Sequence, residues 1–113
     1  MWIKTNPNPK RKHVPDCVVR AICIALNMSW YEAYDGICRM GRIDCSMPSD
    51  DNVWGHYLLL LGFKPFVLPK NCPSCITVGE FCQLFPKGVY IVGTGQHAIA
   101  IIDGDYYDTF DSA

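Results

Sequence analysis

No stretch of this 113-residue chain approaches the roughly 20 consecutive apolar residues of a membrane-spanning helix. The N-terminus, Met1-Trp2-Ile3-Lys4-Thr5-Asn6-Pro7, has no apolar core of the signal-peptide kind. An excess of charge is also missing: ten Lys and Arg against eleven Asp and Glu leave a formal charge of -1, which gives no global attraction to nucleic acid or an anionic membrane. The local basic run Lys10-Arg11-Lys12-His13 reads as a solvated segment near the N-terminus. Internal repeats, low-complexity tracts and linkers are absent. These absences leave one domain over 1–113 with a single modest core, expected in the cytoplasm.

Cysteine, by contrast, is plentiful. Seven is an odd count, and no secretory signal argues for a disulfide framework, so reduced thiols are expected. Cys23 and Cys38 fall in helical patterns as small apolar residues. Cys72-Pro73-Ser74-Cys75 has CxxC spacing, but a structural zinc needs four ligands and no second CxxC or HxxxH exists. It therefore reads as a loop, with no metal and no cofactor expected; the alternatives are a zinc site completed across the fold by Cys38, Cys45, Cys82 or His56, and a redox pair. Gly93-Thr94-Gly95 is too short to cradle a phosphate and reads as the turn that delivers His97.

The element pattern is α+β, with helices first and antiparallel strands afterwards. Residues 1–15 hold three prolines and read as an extended lead-in. Asp16 is placed to cap a helix over Cys17–Leu26, whose apolar residues surround most of its circumference, which predicts a central, buried helix ended by Asn27. Ser29-Trp30-Tyr31-Glu32 is a capping box for a second helix running to about Met40, with Gly41 as its stop. Asp50 or Asp51 caps a third helix, ended by Gly62. A strand is expected over 63–68, a short helix after Thr77, and a strand over 88–92. Asp103-Gly104 is a two-residue hairpin turn between strands 97–102 and 105–110. The aromatic residues Trp30, Tyr31, Tyr34, Trp54 and Tyr57 have helical spacing and are expected in the core or between helices. Arg20, a lone charge in an apolar run, is expected to pair with an acidic residue across the fold.

The chemistry-bearing residues are Cys17, at the start of the first helix, His97, at the head of a strand, and Asp108, on the next strand. A helix N-terminus favours a thiolate, and the Cys17 backbone N–H is placed to stabilise an oxyanion. With Asp103 and Gly104 as the turn, Ile99 opposes Asp108 and His97 opposes Phe110. His97 and Asp108 then share a face as diagonal neighbours, roughly 7–8 Å apart between Cα atoms. Asp111 falls on the opposite face and is the alternative third member. Nucleophile, base and orienting carboxylate are the components of thiol-based acyl transfer.

On Asp16-Cys17-Val18-Val19-Arg20-Ala21, Gly88-Val89-Tyr90-Ile91-Val92 and the segment 97–112, the chain resembles the papain-like cysteine peptidase clan. Its small members are the nearest likeness: Josephin-type deubiquitinases, peptidase domains that trim bacteriocin leaders, and small bacterial and phage proteins of this layout. The resemblance implies helices packed on a C-terminal antiparallel sheet, Cys17 as nucleophile, His97 as general base and acid, and Asp108 as orienter. It also implies a peptide or protein substrate, with neither nucleic acid nor membrane as partner. The clan's oxyanion-hole Gln, about five or six residues before the cysteine, is replaced here by Lys12 and Arg11. The lead-in offers Asn8, Asn6 or His13 instead, with Asn8 taken as the oxyanion-hole candidate. Two other functions fit the same residues: a non-catalytic binding or inhibitor module, and a thiol-dependent acyl transferase.

Overall fold

Asn27, Cys45, Asp103 and Gly104 are among the points where the chain turns sharply, and each has the positive φ that reverses or ends an element. A computed structural model, which describes residues 1–65, 77–94 and 97–111, contains the elements β1 (Trp2–Lys4), α1 (Cys17–Leu26), α2 (Trp30–Asp44), α3 (Asp51–Leu60), α4 (Val78–Leu84), β2 (Val89–Thr94), β3 (His97–Ile102) and β4 (Asp105–Asp108). The order is α+β, as the pattern predicts. Among the described residues no helix is long and apolar enough to cross a membrane.

The four strands form one sheet in the order β1-β4-β3-β2. Asp103 at φ 49° and Gly104 at φ 83° make the tight reversal between β3 and β4. The resulting register pairs Ile102 with Asp105, Ile101 with Tyr106 and Ala100 with Tyr107, as the turn predicts. β4 stops at Asp108, short of the expected 110. The sheet is not wholly antiparallel: the lead-in contributes β1, which pairs in parallel with β4 through Trp2–Tyr106, Ile3–Tyr107 and Lys4–Asp108. A three-residue strand has too little alternation to announce itself, and its partner lies about a hundred residues away. Gly93 and Thr94, expected in a turn, extend β2 instead and pair with Ala98 and His97.

Both faces of β3 are covered, which explains its almost unbroken apolar run. On one face Ala98 and Ala100 lie against Ala21 of α1, small side chains letting helix and sheet approach closely. On the other face Ile99 and Ile101 pack with Val78, Phe81 and Cys82 of α4 and with Tyr106. The outer side of α1 packs on α2 and α3 through Ile22, Cys23, Ala33, Ile37, Met40, Val53 and Leu58. Ile22, Ile99 and Ile101 are essentially inaccessible, and each contributes about 1.5–3 kcal/mol by leaving water. α1 is thus the central helix, between sheet and outer helices, as its apolar circumference requires.

Three helix readings change. Asp16 sits at the N-cap position but makes no side-chain cap bond; its carboxylate is used elsewhere. Gly41 does not stop α2, which runs on to Asp44 with Cys45 in the left-handed cap. The glycine is needed for space: a Cβ there would lie 2.9 Å from the Ser46 carbonyl oxygen, where the chain folds back on the helix. Tyr31 and Tyr34 are exposed rather than core, while Trp54 and Tyr57 do pack on the helical cluster. The cap residues Ser29, Asp50 and Thr77 behave as expected, accepting from the N–H groups of Glu32, Asn52 and Glu80. Of the strand expected over 63–68, residues 63–65 are irregular and 66–68 lie outside the described residues, as do Cys72 and Cys75.

Candidate active site

The hairpin that aligns β3 and β4 brings His97 and Asp108 into direct contact, Nε2 to Oδ2 at 2.5 Å. A carboxylate only accepts, so this contact assigns the ring proton to Nε2 and leaves Nδ1 as the basic nitrogen of the neutral imidazole. Phe110 stacks on the imidazole with ring centroids 5.2 Å apart and planes 30° from parallel. The aromatic face and the carboxylate together fix the ring in two directions. His97 is partly exposed, whereas the Asp108 side chain is 2% exposed.

A buried carboxylate needs more than one partner, and Asp108 has them. Its Oδ1 accepts from the Thr109 backbone N–H at 2.8 Å and from Arg20 Nη1 at 3.5 Å. Arg20 Nη1 also donates to the Thr109 hydroxyl at 3.2 Å. Arg20 projects from α1, so the expected partner across the fold is Asp108, on the strand furthest in sequence from it.

The second partner of Arg20 is Asp16, the residue before Cys17. Arg20 Nε lies 2.9 Å from Asp16 Oδ1, an ion pair whose N–H is not aligned for a hydrogen bond. Asp16 Oδ2 accepts from the Trp30 indole N–H at 2.9 Å and from the Asn8 amide at 3.2 Å. The Asp16 carboxylate therefore joins the lead-in, α1 and the first residue of α2. In the sequence Asp16 reads as a helix cap; its place as a hub is set by partners distant along the chain. The one sequence signal was the lone Arg20, four residues on, at the spacing of a helical ion pair.

Cys17 heads α1 and is half-buried, packed with Val18 on the cluster of Ala21, Ala98 and Ala100. The start of α1 is tied to β4 and, through it, to His97 by the contacts Asp16–Arg20 and Arg20–Asp108. By strand alternation His97 belongs to the face that α4 covers, while α1 covers the face of Ala98. Asp108 links the two sides, with Oδ2 on His97 and Oδ1 on Arg20 of α1. Asp16 consumes none of the first-turn N–H groups of α1 through its side chain, which keeps that helix end positive.

Asn8 is buried. Its carbonyl oxygen accepts from the N–H groups of Lys10 and Lys12, and its amide donates to Asp16. It staples the lead-in to the residue next to Cys17. Asp111 receives the Tyr106 hydroxyl at 2.5 Å, so the carboxylate on His97 is that of Asp108. That acceptor, followed by burial, holds the Tyr106 phenol up at about 12. A cavity of about 80 Å³ is lined by Lys12, His13, Val14, Asp16, Arg20 and Thr109 and gives solvent a route to the edge of this network.

Among the other thiols, Cys23 is buried behind Cys17 on α1. Burial, then the Asp16 carboxylate, push it up to about 11. Burial likewise raises Cys82. Neither can supply a thiolate at neutral pH. No protein-family model matches this chain, and neither does any curated protein or solved structure.

Proposed function

We propose that the chain is a small papain-like cysteine hydrolase, a peptidase or isopeptidase, in which Cys17, His97 and Asp108 act as nucleophile, base and orienter. The observation that carries this reading is the His97–Asp108 contact at 2.5 Å, which leaves Nδ1 as the ring's basic atom, while Asp108 is linked through Arg20 to the residue before Cys17.

In this reading His97 Nδ1 takes the Cys17 proton, and the thiolate attacks the carbonyl carbon of an amide. The C–S bond forms as the carbonyl π electrons move to oxygen, where the N–H groups at the start of α1, including that of Cys17, meet the charge. Collapse expels the amine, which leaves with the proton from Nδ1. Water then gives a proton to the same nitrogen and attacks the thioester, releasing the acid and restoring the thiol. Throughout, Asp108 keeps the proton on Nε2 and stabilises the imidazolium. An amine in place of water would make the same thiol a transferase.

Asn8 favours a second reading. It is buried, and its amide donates to Asp16, so the side chain expected at the oxyanion hole is committed to the lead-in, as suits a binding or inhibitor module that keeps the scaffold. Alkylation separates the two. If the site is catalytic, iodoacetamide modifies Cys17 ahead of the other six thiols, and His97→Ala removes that preference. A panel of peptide and ubiquitin-like thiol-reactive substrates then identifies the bond cleaved. Cys17 reactivity indifferent to His97, or hydrolysis retained in Cys17→Ala, would overturn the hydrolase reading.

A further inference from the structure

The His97–Asp108 pair does not stand alone: its carboxylate is held from behind by a charge chain rooted at the nucleophile's own neighbour. Asp16, Arg20 and Asp108 follow one another as carboxylate, guanidinium and carboxylate, with contacts of 2.9 and 3.5 Å. The side chains are 8%, 13% and 2% exposed. Stability alone is a weak reason to bury three charges, because desolvation offsets most of the attraction. Geometry is a better one. Arg20 Nη1 and the Thr109 N–H both require an acceptor at Oδ1 of Asp108, so the carboxylate cannot rotate and Oδ2 is committed to His97. Arg20 in turn is held by Asp16, whose other oxygen is fixed by Trp30 and Asn8.

We propose that Arg20 and Asp16 are positioning residues of the Cys17 site. On this proposal, which rests on the catalytic reading above, they set the orientation of Asp108 and hence the tautomer and direction of the His97 ring. Because the chain starts beside Cys17 on α1 and ends at His97 on β3, it also registers the helix against the hairpin. Among the described residues, the charged and titratable groups around it are Asp16, Cys17, Arg20 and Cys23 of the α1 region, His97 of β3, Asp108 of β4, and Lys12 and His13 bordering the cavity beside Arg20.

The test is a double-mutant cycle on the rate of Cys17 alkylation by iodoacetamide in the full chain, with Arg20→Gln, His97→Ala and the pair, each checked for native near-UV circular dichroism. With each rate read at the same offset from the midpoint of that variant's own pH profile, so that the lost charge cancels, the double variant reacts no more than about twofold more slowly than His97→Ala alone if Arg20 acts through His97. Independent, multiplicative losses would overturn the proposal. Charge gives a second readout. Arg20→Gln moves the pH profile of alkylation to higher pH and Asp16→Asn moves it to lower pH, each by about half a unit to one unit. A role confined to folding would shift both the same way or not at all, and would also overturn the proposal. Arg20→Lys keeps the charge, so its profile stays at the wild-type pH while the His97-dependent rate falls; it replaces Arg20→Gln in the cycle should that variant not fold. If His97→Ala leaves wild-type reactivity intact, the catalytic reading falls, and this proposal with it.

Discussion

Asp108→Asn conserves shape and removes one charge, and the structure dictates how the new amide must sit. Thr109 N–H and Arg20 Nη1 both donate to Oδ1, so the amide oxygen has to occupy that position. The NH2 group then faces His97 Nε2 and can only donate to it. The imidazole must give up the proton on Nε2 and carry it on Nδ1, where it can no longer take the thiol proton. A wrong-tautomer substitution of this kind lowers turnover by roughly 10⁴-fold, and alkylation, which reads only the thiolate fraction, should slow by about tenfold or more at neutral pH. Stability falls as well. The Arg20–Asp108 attraction at 3.5 Å is about 5 kcal/mol at an effective dielectric constant of about 20. Release of the carboxylate's desolvation penalty returns much of this and leaves a net loss of about 2 kcal/mol. In urea the midpoint should drop by about 1 M. The assay pairs that unfolding curve with the rate and pH profile of Cys17 alkylation, measured well below the transition. A variant that is destabilised as expected yet alkylates at the wild-type rate and pH would refute the tautomer argument. One with unchanged urea midpoint would refute the claim that the buried carboxylate holds Arg20.

Gly36→Ala would drive a Cβ into the Tyr57 hydroxyl and Cζ, so it should destabilise the α2–α3 contact by about 1–3 kcal/mol. Tyr57→Ala should absorb most of that cost in a double-mutant unfolding cycle. At neutral pH a thiol probe should leave Cys23, held at about 11, unmodified until the chain is unfolded by denaturant; mass mapping checks this. Cys23 and Tyr106 hold their protons to about 11 and about 12, against ordinary values of 9.0 and 10.0. Between pH 9 and 12 the native state therefore binds more protons than the unfolded chain, and stability falls as pH rises. A urea midpoint that stayed flat over that window would contradict it.

The parts of the fold that the sequence announces are those whose physics is local. Asp103-Gly104 specifies the hairpin register through left-handed backbone, and that register alone brings His97 to Asp108. Ser29, Asp50 and Thr77 cap through contacts two or three residues away, so their helices start where expected. What stays hidden is set by distant partners: β1, whose strand mate follows it by about a hundred residues, Gly41, needed only because the chain returns over it, and Asp16. For Asp16 the local and distant roles can be separated. Serine is as good an N-cap as aspartate, so if residue 16 served only to start α1, Asp16→Ser would change stability by no more than a few tenths of a kcal/mol. The structure instead uses its carboxylate for Arg20, Trp30 and Asn8. Serine is too short to reach all three and has no charge to offset the guanidinium. The cost should be about 2–4 kcal/mol, since a buried charge loses a partner and two buried donors lose an acceptor. Urea unfolding of Asp16→Ser decides between the two roles, and a near-neutral result would return Asp16 to being a cap. A large loss that Asp16→Asn only partly avoids is the outcome expected of a hub, because the amide keeps an acceptor for Trp30 and Asn8 but offers no charge to Arg20.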